Sequence, residues 1–278
     1  MPEAPQMQAL AERLEDATNG RTLARIEPLQ FAALKTFDPD PLTLIGRPLR
    51  SVGRRGKFLV IDLDEGLRVL VHLSQGGRVD IEDPPKATKG KQNVVRFVFD
   101  GGPAVLVKEW GTERKAGWWV LGPGDDGPLT ELGPEAASDE FAAWARTSDD
   151  RRRVHTILRD QRTVAGIGRG YTDDSLHRAR LSPYASLASL APEERERLIE
   201  AIRDVLADGL ERERRRTGGL PNKLGDGWVV HNAHGKPCPV CATTLRRVSY
   251  ESYEVTYCPT CQTDGKVLAD RRLSRLLK

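Results

Sequence analysis

All four cysteines of this 278-residue chain lie in one short stretch, and their spacing constrains the fold more than any other feature. They form two Cys-x-x-Cys pairs, Cys238 with Cys241 and Cys258 with Cys261, separated by sixteen residues. Four thiolates from two such pairs match the tetrahedral ligand set of a structural zinc ion. Two disulfides or free thiols are the alternatives, and disulfides are rare in chains that lack a secretory signal. The sequence therefore predicts one structural Zn²⁺ bound by all four cysteines.

The segment between the two cysteine pairs has the composition of a β-hairpin. Residues 245–250 and 253–257 are rich in β-branched and aromatic side chains. We expect two short strands that turn near Glu251-Ser252, with the metal at the open end of the hairpin.

Composition is that of an ordinary globular chain, with 38% hydrophobic and 30% charged residues. The length is sufficient for two domains and a small module. No apolar run approaches the ~20 residues that cross a membrane. The start, Met1-Pro-Glu-Ala-Pro5, has neither the basic residues nor the apolar core of a signal peptide. We therefore expect a cytoplasmic protein with no membrane partner.

Charge is distributed unevenly along the chain. Residues 122–150 carry one basic and eight acidic side chains, whereas residues 151–220 carry fifteen arginines and eleven acidic residues. Residues 221–278 carry nine basic and five acidic residues. A C-terminal half with excess positive charge favours a polyanionic partner, although solvated helix faces explain part of the arginine content equally well.

The first 121 residues predict one helix followed by an all-β fold. Residues 5–18 have the spacing of an amphipathic helix that ends at Asn19-Gly20. Short β-type runs follow, separated by turn signals, and this pattern favours a sandwich or barrel. The seven predicted strands are Thr22–Ile26, Pro48–Val52, Phe58–Asp62, Arg68–Leu73, Val94–Phe99, Val105–Val107 and Gly117–Leu121.

The remainder of the chain is predicted to be helical up to the zinc module. Residues 122–137 indicate a hinge rich in glycine, proline and aspartate, residues 138–219 a helical domain, and residues 220–278 a loop followed by the zinc hairpin. Together with a sandwich over 1–121, this gives a multidomain α+β architecture. The predicted helices run from Ser138, as the capping residue, to Arg146, and over Arg151–Asp160, Thr172–Arg180 and Pro192–Arg216.

A glycine-rich turn, Val164-Ala-Gly-Ile-Gly-Arg-Gly-Tyr171, joins two of these helices. Such a turn exposes backbone amides at a helix N-terminus, which bind phosphate well, and Arg169 adds a charged donor. By itself the motif is also typical of a plain helix connector.

The combination of β domain, helix–glycine-turn–helix and four-cysteine hairpin resembles the formamidopyrimidine-DNA glycosylase / endonuclease VIII family of base-excision repair enzymes. The resemblance covers nearly the whole chain, and the C-terminal tail is similar to an actinobacterial-type branch. The matching motifs are Pro2-Glu3-x-Pro5, Arg54-Arg-Gly-Lys57-Phe-Leu, Val71-His-Leu73, Arg159-Asp-Gln161 through Gly168, Leu181-Ser-Pro183 and Cys258-Pro-Thr-Cys-Gln262.

The resemblance implies a specific set of catalytic residues. The nucleophile would be the N-terminal amine of Pro2 once Met1 is removed, and an α-amine with a pKa near ~8 is far more often neutral at pH 7 than a lysine. Glu3 would shuttle protons, and Lys57 would lie beside the lesion phosphate. If Met1 is retained, the Pro2 nitrogen is an amide and cannot act. The expected partner is double-stranded DNA with a damaged base or abasic site, bound by a monomer in the bacterial cytoplasm at the nucleoid.

The resemblance also assigns DNA-binding positions, and four of them depart from the family pattern. Arginine stands at Arg169, beside Gly168, where the family has asparagine. The family's methionine and phenylalanine wedges are replaced by Gln75 and by Ala116, next to Arg114 and Lys115. Trp110 or Trp118 could replace the wedges, or the lesion is different or bulkier. The hairpin-tip arginine is replaced by Tyr253, with Arg246, Arg247 and Arg271 as alternatives.

These features give a leading hypothesis and two alternatives. The leading hypothesis is a DNA glycosylase with AP lyase activity, which removes oxidised bases through a Schiff base on Pro2 and cleaves the strand by elimination. The first alternative is a damage-binding or abasic-site-binding protein of the same fold with weak or no glycosylase activity. The second is a zinc-ribbon protein with no nucleic-acid role.

Overall fold

The computed structural model describes residues 1–221, 227–249 and 254–269. The chain divides into two compact units. The first contains Met1–Glu131 and Leu210–Leu224, and the second contains Leu132–Gly209 and Gly225–Lys278.

The first unit begins with helix α1, Ala4–Thr18, in close agreement with the prediction. Its apolar positions recur at helical spacing, so that Met7, Leu10 and Leu14 all enter the core and are at most 1% exposed. The helix ends at Asn19, whose backbone N–H donates to the Glu15 carbonyl. Helix α1 packs against two strands of the sandwich, β2 (Leu49–Arg55) and β3 (Phe58–Leu63).

Two four-stranded antiparallel sheets form the β-sandwich of the first unit. One has the strand order β1-β6-β7-β5 and the other β2-β3-β4-β8. Apolar side chains from both sheets fill the core between them. The other strands are β1 (Leu23–Pro28), β4 (Arg68–His72), β5 (Gly77–Glu82), β6 (Asn93–Phe99), β7 (Ala104–Glu109) and β8 (Gly117–Leu121).

The seven predicted strands are all present, but the sequence prediction omitted β5. Its charged residues at 78, 80 and 82 alternate with Val79 and Ile81, which is the period-2 pattern of a strand. Gly76, just before the strand, and Gly77, its first residue, made the segment resemble a turn.

The helical part of the second unit has its own apolar core. Its helices are α2 (Asp139–Thr147), α3 (Val154–Arg159), α4 (Arg169–Arg178) and α5 (Pro192–Arg214), the last of which ends in residues that group with the first unit. Ser138 caps α2 as predicted, because its hydroxyl accepts from the Phe141 amide at 3.1 Å.

The boundaries of two predicted helices were wrong. Helix α3 starts three residues later than expected, because Arg153 is extended and forms a bridge with Ser186. Helix α4 starts three residues earlier and ends at Arg178, because Gly168 is its N-cap and Arg180 adopts a left-handed conformation with φ of 56°. The glycine turn therefore leads directly into a helix N-terminus.

The zinc hairpin has the predicted antiparallel strands, β9 (Arg246–Ser249) and β10 (Glu254–Tyr257). A short helix, α6 (Pro259–Thr263), follows and was not predicted. It places Cys261 within the helix and Cys258 at its N-cap.

Among the described residues, the structure has no helix with both the length and the apolar character needed to cross a bilayer.

Candidate functional site

Pro2 and Glu3 lie at the N-terminus of α1, and both are buried although they start the chain. Glu3 is the N-cap residue and forms a reciprocal capping box with Gln6. The Glu3 backbone N–H donates to Gln6 Oε1 at 3.0 Å. By contrast Met1 is 47% exposed. The capping box thus fixes the orientation of the two residues that the sequence marked as catalytic.

The electric field at the N-terminus of helix α1 affects the protonation of the Pro2 amine. The N-terminus of a helix carries a partial positive charge, which favours a carboxylate and disfavours a nearby ammonium. Glu3 is only 5% exposed, so water screens this interaction poorly. Once Met1 is removed, the helix therefore favours the neutral, nucleophilic form of the Pro2 amine.

The N-terminus of α1 is anchored to the last turn of α5 and to the residues that follow it, a contact the sequence did not reveal. Gln6 Nε2 donates to Glu213 Oε1 at 3.5 Å, so the capping partner of Glu3 is itself held. Arg13 donates to the carbonyl oxygens of Glu213 at 3.0 Å and Gly218 at 2.7 Å. The side chain of Glu213 also pairs with Arg216 at 3.0 Å. These bonds limit the movement of the first turn of α1.

Lys57 lies in the turn between β2 and β3 and is 6% exposed. Phe58, the next residue, pairs with His72 across β3 and β4, and the two rings are 4.7 Å apart between centroids. Burial lowers the pKa of His72 to about 4, and the positive charge of Lys57 contributes to the shift. At neutral pH the site therefore presents a buried lysine close to a neutral imidazole.

We expect replacement of Lys57 by methionine to raise the pKa of His72, since the substitution removes the repulsion by the lysine charge. NMR titration of the imidazole resonances measures this pKa directly. His155 is a matched control, because burial, with Arg159 and Arg153, also lowers its pKa to about 4 and it lies in the other unit. An unchanged His72 titration would show that the two side chains are not coupled.

The same pKa has a consequence for stability. The folded-state pKa of His72 lies below the ordinary value of 6.5, so the unfolded chain binds this proton more readily. The contribution of His72 to stability is therefore lost as the pH falls from 6.5 towards 4.

Gln75 and the basic residues Arg114 and Lys115 are exposed on two neighbouring loops of the first unit. The loops touch through glycine: a Cβ on Gly76 would lie 2.3 Å from the Gly111 nitrogen, too close for any other residue. The structure therefore brings these three predicted DNA-binding residues to the same two loops.

One of the proposed wedge replacements is wrong. Trp118 is 0% exposed and packs in the sandwich core against Phe97, with ring centroids 5.8 Å apart. Ala116 is also buried, at 3% exposure, whereas Trp110 is 51% exposed. Strand β8 alternates its side chains between core and surface, which places Trp118 inside.

In the second unit, Gly168 is buried as the N-cap of α4 and Arg169 is exposed at the first helical position. A helix N-terminus offers unsatisfied backbone N–H groups, and Arg169 adds a guanidinium beside them. Gly170 packs against Trp228 so closely that a Cβ would lie 2.3 Å from the indole ring. The glycines thus allow the turn to pack closely, and the turn exposes the guanidinium of Arg169.

Acidic residues of α4 bind the zinc module, a role that the sequence analysis missed. The Asp174 carboxylate accepts from the backbone amides of Val229 and Val230, both at 2.9 Å, and of His231 at 3.1 Å. Asp173 Oδ2 lies 2.7 Å from His231 Nδ1 and accepts from the Thr256 amide at 3.2 Å. Burial raises the pKa of Asp173 to about 6. The burial of both carboxylates is seen only in the structure, so no signal in the sequence indicated this role.

The four cysteine sulfurs converge as predicted. All four Sγ atoms lie within 4.8 Å of one another, and Cys241 is 3.4 Å from Cys258 and 3.5 Å from Cys261. Zinc–thiolate bonds of ~2.3 Å in a tetrahedron place sulfurs ~3.8 Å apart, so the cluster fits one Zn²⁺. His177 Nε2 lies 3.2 Å from the Cys238 sulfur and provides a hydrogen-bonding partner for it.

The remaining predicted contacts lie on the hairpin. Tyr253 and Arg271 are outside the described residues. Arg246 and Arg247 are exposed on β9, and Arg247 pairs with Glu254 across the hairpin at 3.0 Å.

Three known domain families match successive parts of the chain. Residues 1–112 match the formamidopyrimidine-DNA glycosylase N-terminal domain, and residues 132–218 match the formamidopyrimidine-DNA glycosylase H2TH domain. Residues 235–263 match the zinc finger found in FPG and IleRS.

Similar proteins cover nearly the full length. A formamidopyrimidine-DNA glycosylase of Symbiobacterium thermophilum is 34% identical over 98% of this chain and 93% of its own. An uncharacterized formamidopyrimidine-DNA glycosylase-like protein of Mycobacterium tuberculosis is 42% identical over 53% of this chain and 94% of its own. The MutM (Fpg) crystal structure from Thermus thermophilus matches with a TM-score of 0.77 and 29% identity over 94% of this chain and 98% of that one. A Lactococcus lactis Fpg complex with abasic-site DNA matches in fold, with a TM-score of 0.80 and 20% identity over 94% and 99%.

Proposed function

Because this chain belongs to the formamidopyrimidine-DNA glycosylase family, we propose that it is a bifunctional base-excision repair enzyme, a DNA glycosylase with AP lyase activity. The observation that carries the proposal most directly is the arrangement at the start of α1. Pro2 and Glu3 are buried together at a helix N-terminus, where the local field favours a neutral amine.

The chemistry follows from these groups. The Pro2 amine attacks the sugar C1′ of the damaged nucleotide, and the base departs with the electron pair of the glycosidic bond. Glu3 transfers protons to the sugar oxygen and from the amine. The resulting iminium acidifies the neighbouring C–H, so that elimination breaks the strand on the 3′ side. Lys57 neutralises the phosphate next to the lesion and so supports its approach to the amine.

The partner is double-stranded DNA with a damaged base or abasic site, as for the Lactococcus lactis relative bound to abasic-site DNA. Phosphate contacts position such a protein, and a target base that is inside the helix must be everted first. The proposed contacts in the first unit are Gln75, Arg114 and Lys115, and those in the second are Gly168, Arg169 and Tyr253. One structural Zn²⁺ on the four cysteines stabilises the hairpin.

We also propose a branch of the family, a cellular location, an oligomeric state and a division into functional segments for this chain. The similarity to the Mycobacterium tuberculosis protein supports an actinobacterial-type branch. We place the enzyme at the nucleoid of a bacterial cytoplasm, as a monomer. The functional division is a catalytic sandwich (1–121), a hinge (122–137), a helix-two-turn-helix domain (138–219) and a zinc-finger segment (220–278).

A damage-binding protein without turnover is the second candidate. It is favoured by one observation: the wedge positions hold a polar Gln75 and a buried Ala116, so the usual means of holding a nucleotide out of the helix is altered.

Replacing Pro2 with glycine separates the two functions. Glycine keeps an N-terminal amine, but this amine is primary and lacks the fixed pyrrolidine ring of proline. We therefore expect nicking of an abasic-site duplex to fall by at least ~10²-fold, the range for a lost catalytic group. Binding of the same duplex should change less than twofold. Gel analysis of single-turnover nicking and fluorescence anisotropy provide the two readouts. If wild-type protein binds the abasic duplex selectively but nicks no faster than the variant, the damage-binding function is correct.

A further inference from the structure

In the first unit, Trp110 is an exposed tryptophan that lies close in sequence to the predicted DNA contacts Arg114 and Lys115. Its side chain is 51% exposed, immediately after β7 and four residues before Arg114. The indole of Trp118, in contrast, is fully buried. An indole offers a large flat apolar face, which suits stacking on nucleic-acid bases.

The backbone that carries Trp110 is firmly held. The Trp110 N–H donates to the Gly76 carbonyl at 3.0 Å, and the Glu109 N–H donates to the Gln92 carbonyl at 2.7 Å. The buried Glu109 carboxylate accepts from the Ala116 amide at 2.6 Å and so closes the 109–116 loop at its base. Gly76 and Gly111 approach each other so closely that a Cβ on Gly76 would lie 2.3 Å from the Gly111 nitrogen, so the two loops are in direct contact. The backbone of Trp110 is therefore hydrogen-bonded and packed against the neighbouring loop.

The 109–116 loop lies at the same end of the strands as the Lys57 site. His72 is the last residue of β4 and pairs with Phe58, which follows Lys57. The turn after His72 leads to Gly77, which pairs with Glu109 of β7. Trp110 follows Glu109, and the exposed Arg114 and Lys115 follow on the same loop. A DNA strand that reaches Lys57 would pass a surface with one aromatic ring and two cations.

From this placement we propose that the Trp110 indole inserts into the duplex at the gap left by the everted nucleotide. The inference rests on the proposed function, because it requires a lesion that is turned out of the helix. Proteins that unstack a base step commonly fill it with an apolar side chain. Gln75 is polar and Ala116 is buried, so neither fills this gap. An inserted indole, by contrast, can stack on the neighbouring bases with both of its faces.

The test compares W110A with wild-type protein on a tetrahydrofuran abasic-analogue duplex and on the same lesion strand alone. A single strand has no stacked gap to fill. We expect W110A to weaken duplex binding by roughly 10- to 100-fold, the range for loss of a base–aromatic stack, and single-strand binding by less than threefold. W110F should retain most of the duplex affinity. F37A is the matched control, since Phe37 is an aromatic residue of the same unit with 89% exposure, and it should bind as wild type.

Three results overturn the inference: unchanged duplex binding by W110A, an equal loss on both substrates, or an equal loss in F37A. Failure of the proposed function is distinguishable, because then the wild-type protein nicks an abasic-site duplex no faster than Pro2→Gly, whatever W110A does to duplex binding. Thermal melting of each variant verifies the fold, and the exposed position of both side chains predicts melting temperatures within about 2–4 °C of wild type.

Discussion

Replacing Glu3 with glutamine should reduce base excision from a formamidopyrimidine-containing duplex by about 10²- to 10⁴-fold, the usual contribution of a positioned acid–base group. The amide of glutamine has nearly the same shape and can still accept a hydrogen bond from the Gln6 backbone, so the capping box of α1 should persist. The substitution removes only the capacity to take up and release a proton. Single-turnover excision measured across pH isolates this loss.

A matched control is available on the same helix. Glu12 pairs with Arg214 at 2.8 Å, away from the first turn of α1, and Glu12→Gln should leave excision within twofold of wild type. Thermal unfolding of Glu3→Gln should remain within about 1 kcal/mol of wild type, because a cap that is kept costs little. Full excision activity in Glu3→Gln would remove Glu3 from the mechanism.

Removal of zinc should abolish tight duplex binding while leaving the sandwich folded. Structural zinc sites contribute about 10–16 kcal/mol of apparent binding free energy, which is more than a small module can replace. The apolar cluster around the metal is minor, with Val230, Leu245 and two of the cysteines as its buried members. The sandwich has a separate, much larger core. Chelation, followed by anisotropy and by NMR of sandwich methyl groups, measures both effects.

We expect Cys241→Ser to reproduce the effect of chelation and Thr260→Ala to have none. Thr260 lies between two ligands in the sequence but is exposed, and its hydroxyl lies 2.8 Å from the hydroxyl of Thr243 rather than against a sulfur. Zinc content by atomic absorption should fall only in the cysteine variant. Undiminished duplex binding by metal-free protein would show that the zinc hairpin does not contribute to DNA recognition.

Much of the architecture was predictable because local signals agree with the tertiary structure. Cysteine spacing predicted the metal site, helical periodicity predicted α1, and β-type runs predicted seven strands of the sandwich. Strand β5 was missed because the glycines where it starts favoured a turn, although the period-2 alternation of its side chains was visible. Glycine at 76 and 77 is needed for close packing rather than for a flexible loop.

The site was less predictable where it depends on contacts between distant residues. Nothing in the sequence near Asp173 and Asp174 indicates that they bind the backbone and His231 more than fifty residues later. Burial decided between Trp110 and Trp118, because Trp118 lies in β8 and faces the core whereas Trp110 lies in the loop after β7. The anchoring of Gln6 by Glu213 spans the chain and has no local signal.

Borohydride trapping on an abasic-site duplex, followed by mass spectrometry of the N-terminal peptide, tests the central claim most directly. Borohydride reduces a Schiff base to a stable amine, so the DNA remains attached to the residue that formed it. The expected result is one covalent adduct on the Pro2 nitrogen of protein that has lost Met1, and at least ~10²-fold less adduct on Pro2→Gly at the same exposure. Correctly processed protein that binds the duplex but forms no adduct, or forms it on a lysine such as Lys57, would contradict the proposed mechanism.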